Sequence, residues 1–280
     1  MLFVTAGYED GAPIRIAYRD QGNGRPVVLV HGYPLDSRTW DRLTPVLLAA
    51  GHRVITYDRR GFGASTRTAG GYDYDAFAAD LAALLTELDL RDAVLVSHGS
   101  GSGDIVRHLH SLGCGRAAGA AFLAGLGPHL LLTERNPHGL GLGRFDQIIS
   151  DALRDSDAHL HEIRRDYFSA IEHEGGRLAP EEFDAFLTIA ASVSPQVHSA
   201  IVPSWITDFR GDYAALTVPV LIVHGTDDRL LPLRGTAVPL YELLPRARYL
   251  EIPDAPHGLH WTHTAELATA LLGFLARLDG

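Results

Sequence analysis

Ser97-His98-Gly99-Ser100-Gly101 follows the apolar run Val94-Leu95-Val96 and precedes a helical pattern. A strand, a sharp turn and a helix in this order form the frame G-x-S-x-G, which lifts a nucleophile above the end of a sheet. The central position is Gly99, which has no side chain to attack with. Three other segments carry matching chemistry. Val30-His31-Gly32-Tyr33-Pro34 ends an apolar run, and the backbone N–H after His-Gly, that of Tyr33, supplies half of an oxyanion hole. The other half is the backbone N–H of Ser100, the residue after the nucleophile position. Backbone donors do not depend on side chains, so such a hole does not require a serine at position 99. Asp228, in Gly225-Thr226-Asp227-Asp228, has the spacing of an acid at a strand end. Asp227 is the neighbouring alternative, with turn capping as its other role. His257, in Ala255-Pro256-His257-Gly258, is the expected base, oriented by that acid, and the order elbow, acid, histidine fits the motif.

The elbow itself invites two further expectations. Gly99 adopts positive φ freely, where a serine is strained, and Gly101 and Gly103 let the helix approach the strand. Gly99, Gly101 and Gly103 also spell a weak dinucleotide signal, but it lies well inside the chain and the surrounding pieces oppose it. Ser100 is a displaced nucleophile only if its side chain leaves the turn toward the base. His98, Trp205 and Phe122 are candidate pocket residues, with Tyr33, Trp40, Phe145, Phe168 and Phe183 as further aromatic candidates that core packing explains equally well. His260 and His263 lie beside the base and read as structural or pocket-lining.

Short apolar runs alternate with helical patterns. Ile14–Tyr18, Val27–Val30, Arg53–Tyr57, Ala93–Val96, Ala120–Leu123, Val220–Val223 and Arg248–Ile252 read as strands, several of them continuously apolar and so covered on both faces. Asp75 reads as the N-cap of a helix through Phe77, Leu81, Leu84, Leu85 and Leu88, and Thr264 as the cap of a final helix through Leu275. This alternation predicts a mostly parallel sheet with helices on both faces. Residues 128–212 break the rhythm with Gly, Pro, charges and histidines, and Pro180 sits in the first turn of a helix there. That segment is too long for a crossover and reads as a helical cap inserted into a core of residues 1–127 and 213–280, where it walls the substrate pocket.

Composition narrows the function classes. The chain has 280 residues, 46% apolar and 21% charged, as expected of one large globular domain. A net charge of −10 opposes nucleic acid and anionic membranes as partners. No apolar run reaches the ~18 residues that span a bilayer. The N-terminus lacks a secretory pattern, and a single cysteine, Cys114, fits a reducing cytoplasm. A small molecule is the expected partner.

The chain resembles the bacterial cofactor-free haloperoxidase and arylesterase branch of the α/β-hydrolases. The resemblance rests on Arg25-Pro26-Val27-Val28, His31-Gly32-Tyr33-Pro34-Leu35, Tyr57-Asp58-Arg59-Arg60-Gly61-Phe62-Gly63, Leu88-Asp89-Leu90, Trp205-Ile206-Thr207-Asp208-Phe209 and Pro256-His257-Gly258-Leu259-His260-Trp261-Thr262-His263, and it covers most of the chain. It implies the α/β-hydrolase fold with an eight-stranded sheet, no metal and no haem or other cofactor, and an acyl-enzyme formed on a serine that peroxide can intercept to give a peracid. It also implies an architectural turn at Asp58 and Arg59 and a junction of cap and sheet at Asp208 and Phe209, and it leaves a homo-oligomer open.

Gly99 departs from that pattern, since acyl-enzyme chemistry needs a hydroxyl there. The retained acid–histidine pair and oxyanion hole then favour a non-hydrolytic proton transfer by His257 and Asp228, of lyase, isomerase, cyclase or dehydratase type, on a small apolar metabolite. The alternatives are an esterase or lactonase using water activated by His257, or Ser100, and a ligand-binding or inactivated homologue without turnover.

Overall fold

The computed structural model describes residues 1–169 and 177–278. Eight strands form one sheet: β1 (Leu2–Glu9), β2 (Ala12–Gln21), β3 (Pro26–Val30), β4 (Arg53–Tyr57), β5 (Ala93–His98), β6 (Ala117–Leu123), β7 (Val220–Gly225) and β8 (Arg248–Ile252). Their order is β1-β2-β4-β3-β5-β6-β7-β8, with β1–β2 and β2–β4 antiparallel and all other pairs parallel. The fold is therefore the mostly parallel sheet that the alternation predicts, with the eight strands that the resemblance implies. β1 had no counterpart among the predicted strands.

Eleven α-helices accompany the sheet among the described residues. These are α1 (Thr44–Ala49), α2 (Tyr74–Glu87), α3 (Ser102–Ser111), α4 (Leu142–Arg154), α5 (Ser156–Tyr167), α6 (Pro180–Ala190), α7 (Pro195–Ile201), α8 (Arg210–Ala214), α9 (Ala237–Leu243), α10 (Leu259–Thr262) and α11 (Thr264–Leu278). The central strands β3, β5, β6 and β7 are largely apolar and almost wholly buried because both faces are covered. On β3, Val28 and Val30 join one core with Phe77 and Leu81 of α2, and Val27 and Leu29 join the other with Leu47 of α1 and Leu271 of α11. Helices α4 to α7 lie in the long excursion between β6 and β7, and their residues Phe145, Ile163, Phe186 and Val197 belong to the first of these cores. The predicted cap, 128–212, includes 170–176, which fall outside the described residues.

Two helix starts differ from expectation. The α2 N-cap is Asp73, whose side chain accepts the Ala76 N–H, while Asp75 lies in the first turn. Both aspartates carry the cap signature, and the helix begins at the earlier one, which also brings Tyr74 into the core. Thr264 does not cap by accepting a hydrogen bond. Its hydroxyl donates to the carbonyl of His260, because α11 follows α10 almost directly and takes up the carbonyls at that helix's end. Pro180 opens α6 as predicted, at a position where its missing N–H costs no intrahelical bond.

Candidate active site

Parallel strands present their following loops at one end, where open α/β sheets place their ligand crevice. Tyr33 follows β3, Gly99 follows β5, Asp228 follows β7 and His257 follows β8. The strand order sets β5 next to β3, with β7 and β8 on its other side beyond β6. Four segments far apart in sequence thus converge.

Asp228 is fully buried. Its Oδ1 accepts the N–H groups of Leu230 at 3.0 Å and Leu231 at 2.8 Å, and its Oδ2 accepts His257 Nδ1–H at 2.8 Å. His224 Nε2 lies 3.2 Å from the same Oδ2 and 2.8 Å from the carbonyl of Leu231. Burial alone would raise the carboxyl's pKa, but His257 and His224 outweigh it and hold the group well below the usual carboxylate range. Asp227 is half-buried and turns its carboxylate toward Arg229 at 3.4 Å rather than toward His257. With Nδ1 donating to the carboxylate, the neutral His257 ring carries its lone pair on Nε2.

Nε2 faces Gly99. The glycine has φ +51°, and a Cβ built on it would stand 3.1 Å from His257 Nε2. The neighbouring Ser100 belongs to the first turn of the following helix, where backbone N–H groups lack intrahelical acceptors. The Tyr33 N–H is differently engaged: it donates to Ser100 Oγ at 3.1 Å. The glycines around the elbow serve close approach. A Cβ on Gly101 would meet the carbonyls of His31 at 2.7 Å and Val30 at 2.9 Å. Gly103 instead lies against the ring of Tyr74, so it brings α3 to α2 rather than to the strand.

A pocket opens over these groups, lined by Tyr33, Ser100 and His257 at its base and by Leu126, Phe145, Ile148, Ile163, Trp205 and Leu231 on its apolar walls. Arg144, Asp151, Glu162 and Arg229 also line it. His159 of α5 reaches the Tyr33 hydroxyl at 3.0 Å. Trp205 is where expected, in the wall, and Phe145 joins it. Two pocket expectations need correction. Phe122 points into the core against Tyr213, because on β6 its parity places it beneath the sheet's helices rather than at the strand end. His98 lies behind the base: its Nε2 donates to the His257 carbonyl at 2.9 Å, and its ring centroid is 4.5 Å from His257 and 4.2 Å from His260. Trp40, Phe168 and Phe183 are core residues as well. His260 pairs with Thr39 and His263 with Thr262, both structurally.

Sequence reasoning passed over His159, Ile163 and His224. His159 and Ile163 are four apart on α5, a spacing that puts both on one helix face. His224 sits four residues before Asp228, beside a motif already singled out. Among the described residues, no three His, Cys, Asp or Glu side chains converge in a way that could hold a metal ion.

The chain belongs to the α/β-hydrolase fold family, whose profile matches residues 25–264. A Synechocystis sp. protein with the provisional name non-heme chloroperoxidase is 43% identical over 98% of this chain and 100% of its own. A bifunctional esterase/perhydrolase from Acinetobacter calcoaceticus is 30% identical over 98% of this chain and 99% of its own. The crystal structure of a bromoperoxidase from Bacillus anthracis superposes with a TM-score of 0.93 at 35% identity, covering 98% of this chain and 99% of that one. The chain is thus an α/β-hydrolase-family enzyme related to non-heme haloperoxidases and esterases.

Proposed function

We propose that this enzyme hydrolyses small, largely apolar esters or lactones, with His257 activating the attacking water. The observation that carries the reading is the pairing of His257 with an elbow that has no side chain: Nε2 lies 3.1 Å from the built Cβ position of Gly99, while Nδ1 is tied to Asp228. In this reading Gly99 takes the place of the family's serine, and water uses the volume its hydroxymethyl would fill. Nε2 takes a proton from that water as the oxygen attacks the acyl carbon. Asp228 stabilises the imidazolium, which then returns the proton to the departing alcohol oxygen. General-base help contributes about 10²–10⁴-fold, and without an acyl-enzyme the barrier is not divided, so activated esters are the expected good substrates. The esterase name of one relative supports hydrolysis over a non-hydrolytic proton transfer.

The test is turnover of an aryl acetate in ¹⁸O-water, with intact-mass spectrometry of the protein. One ¹⁸O should enter the acetate per turnover and no acyl adduct should form. His257→Ala should lower turnover by about 10²–10⁴-fold, and unchanged turnover would overturn the reading. Gly99→Ser should introduce burst kinetics and labelling by a fluorophosphonate at position 99, both absent from the parent.

A further inference from the structure

The Tyr33 N–H, one of the two expected oxyanion donors, does not face open space. It donates to Ser100 Oγ at 3.1 Å, and Arg59 Nη1 donates to the same oxygen at 3.3 Å. A serine hydroxyl has two acceptor sites and one proton. Both acceptor sites are used and Cβ takes a third direction, so the proton is confined to the fourth. Among the described residues no acceptor receives it, and Ser100 lines the pocket beside His257.

The Arg59 side chain that sets this arrangement is rigid. It is completely buried, and its Nε and Nη2 donate to the two oxygens of Asp104 at 2.7 Å each. Its guanidinium also covers the Phe77 ring at 4.0 Å from the centroid. A cation donating to Oγ draws electron density from the hydroxyl and makes its proton a stronger donor.

We infer that the Ser100 hydroxyl, set by Tyr33 N–H and Arg59, is the hydrogen-bond donor this pocket presents to the carbonyl oxygen of its ligand. The inference rests on the hydrolytic reading for its catalytic consequence, but not for its effect on binding. Oxyanion stabilisation then passes through a side chain at position 100, with the Ser100 N–H beside it. The hydroxyl keeps its proton and forms no bond to carbon.

Two measurements on Ser100→Ala and Ser100→Thr test it. With an aryl acetate, Ser100→Ala should lower kcat by about 10²–10³-fold with KM little changed, and Ser100→Thr, which keeps the hydroxyl, should restore most of the loss. Phenyl trifluoromethyl ketone, which hydrates to a tetrahedral mimic of the intermediate, should bind about tenfold more weakly to Ser100→Ala by tryptophan fluorescence. If Ser100→Ala proves thermally unstable, Ser100→Cys, similar in shape and a poor donor, should show the same losses. Turnover that is unchanged or raised in Ser100→Ala, with unaltered ketone binding, overturns the inference; a rise means that Oγ merely blocks the Tyr33 N–H. An acylated Ser100 in the mass spectrum also overturns it, by making the residue a nucleophile. Turnover that survives in His257→Ala sinks the hydrolytic reading alone, and ketone binding still decides the role of Ser100.

Discussion

Asp228 has no spare hydrogen-bonding capacity: two backbone N–H groups, His257 and His224 surround its two oxygens. An amide in its place must turn either a second donor toward His257 Nδ1–H or its NH₂ toward the backbone N–H groups. The first choice inverts the imidazole tautomer and takes the lone pair from Nε2. Asp228→Asn is therefore expected to lower ester turnover by about 10³–10⁴-fold with the fold intact, measured as kcat on the aryl acetate beside far-ultraviolet circular dichroism. Retained turnover would show that Asp228 only braces the loop. His257 and Asp228 were legible because strand, turn and spacing bracketed each of them. The Ser100–Tyr33–Arg59 contact was not legible, since it joins three loops whose mutual distance depends on the sheet order.

Capping makes the same point at the scale of an element. Asp73 and Asp75 both precede the apolar face of α2, and local pattern does not rank them. In the fold only Asp73 accepts a helix N–H, from Ala76 at 2.9 Å, whereas Asp75 meets Arg107 at the surface. Asp73→Ala should cost about 1 kcal/mol in urea unfolding, and Asp75→Ala well under half of that. Equal costs would mean that the charge near the helix N-terminus, not the cap bond, matters. Strands β3, β5 and β7 were readable from unbroken apolar runs. β1 was not, because it is an edge strand with exposed Leu2, Phe3, Thr5 and Tyr8 and an irregularity between Thr5 and Gly7, so that only Val4 is fully buried and no regular alternation announces it. Phe122 was misplaced for the converse reason: its strand was right, but strand parity at the sheet centre cannot by itself tell a core face from a crevice.

Across the whole molecule, buried imidazoles link stability to pH. His31 accepts the Arg59 N–H on Nε2, and His198 is enclosed beside Tyr33; burial lowers each from the ordinary 6.5 to about 4, with Arg59 adding to the effect at His31. Both rings are neutral in the fold at pH 6, while the unfolded chain begins to protonate them. Stability is thus full above pH 6.5 and declines as pH falls toward 4, by up to about 3 kcal/mol per ring. His198→Gln, whose Nε2 can take the place of the imidazole Nε2 that faces the Ala190 carbonyl, should reduce that decline by about 2 kcal/mol in urea unfolding between pH 7 and pH 4.5, and an unaltered slope would assign it to the other buried imidazoles. The elbow bears on the same margin. A serine at φ +51° holds a backbone conformation costing on the order of 1–3 kcal/mol, and Gly99 removes that cost. A chain without this burden keeps a reserve of stability, and it should tolerate destabilising changes elsewhere better than its Gly99→Ser variant. Phe145 and Ile163 belong to both the pocket wall and the core, so this latitude extends to wall substitutions that cost core packing while altering which molecules fit.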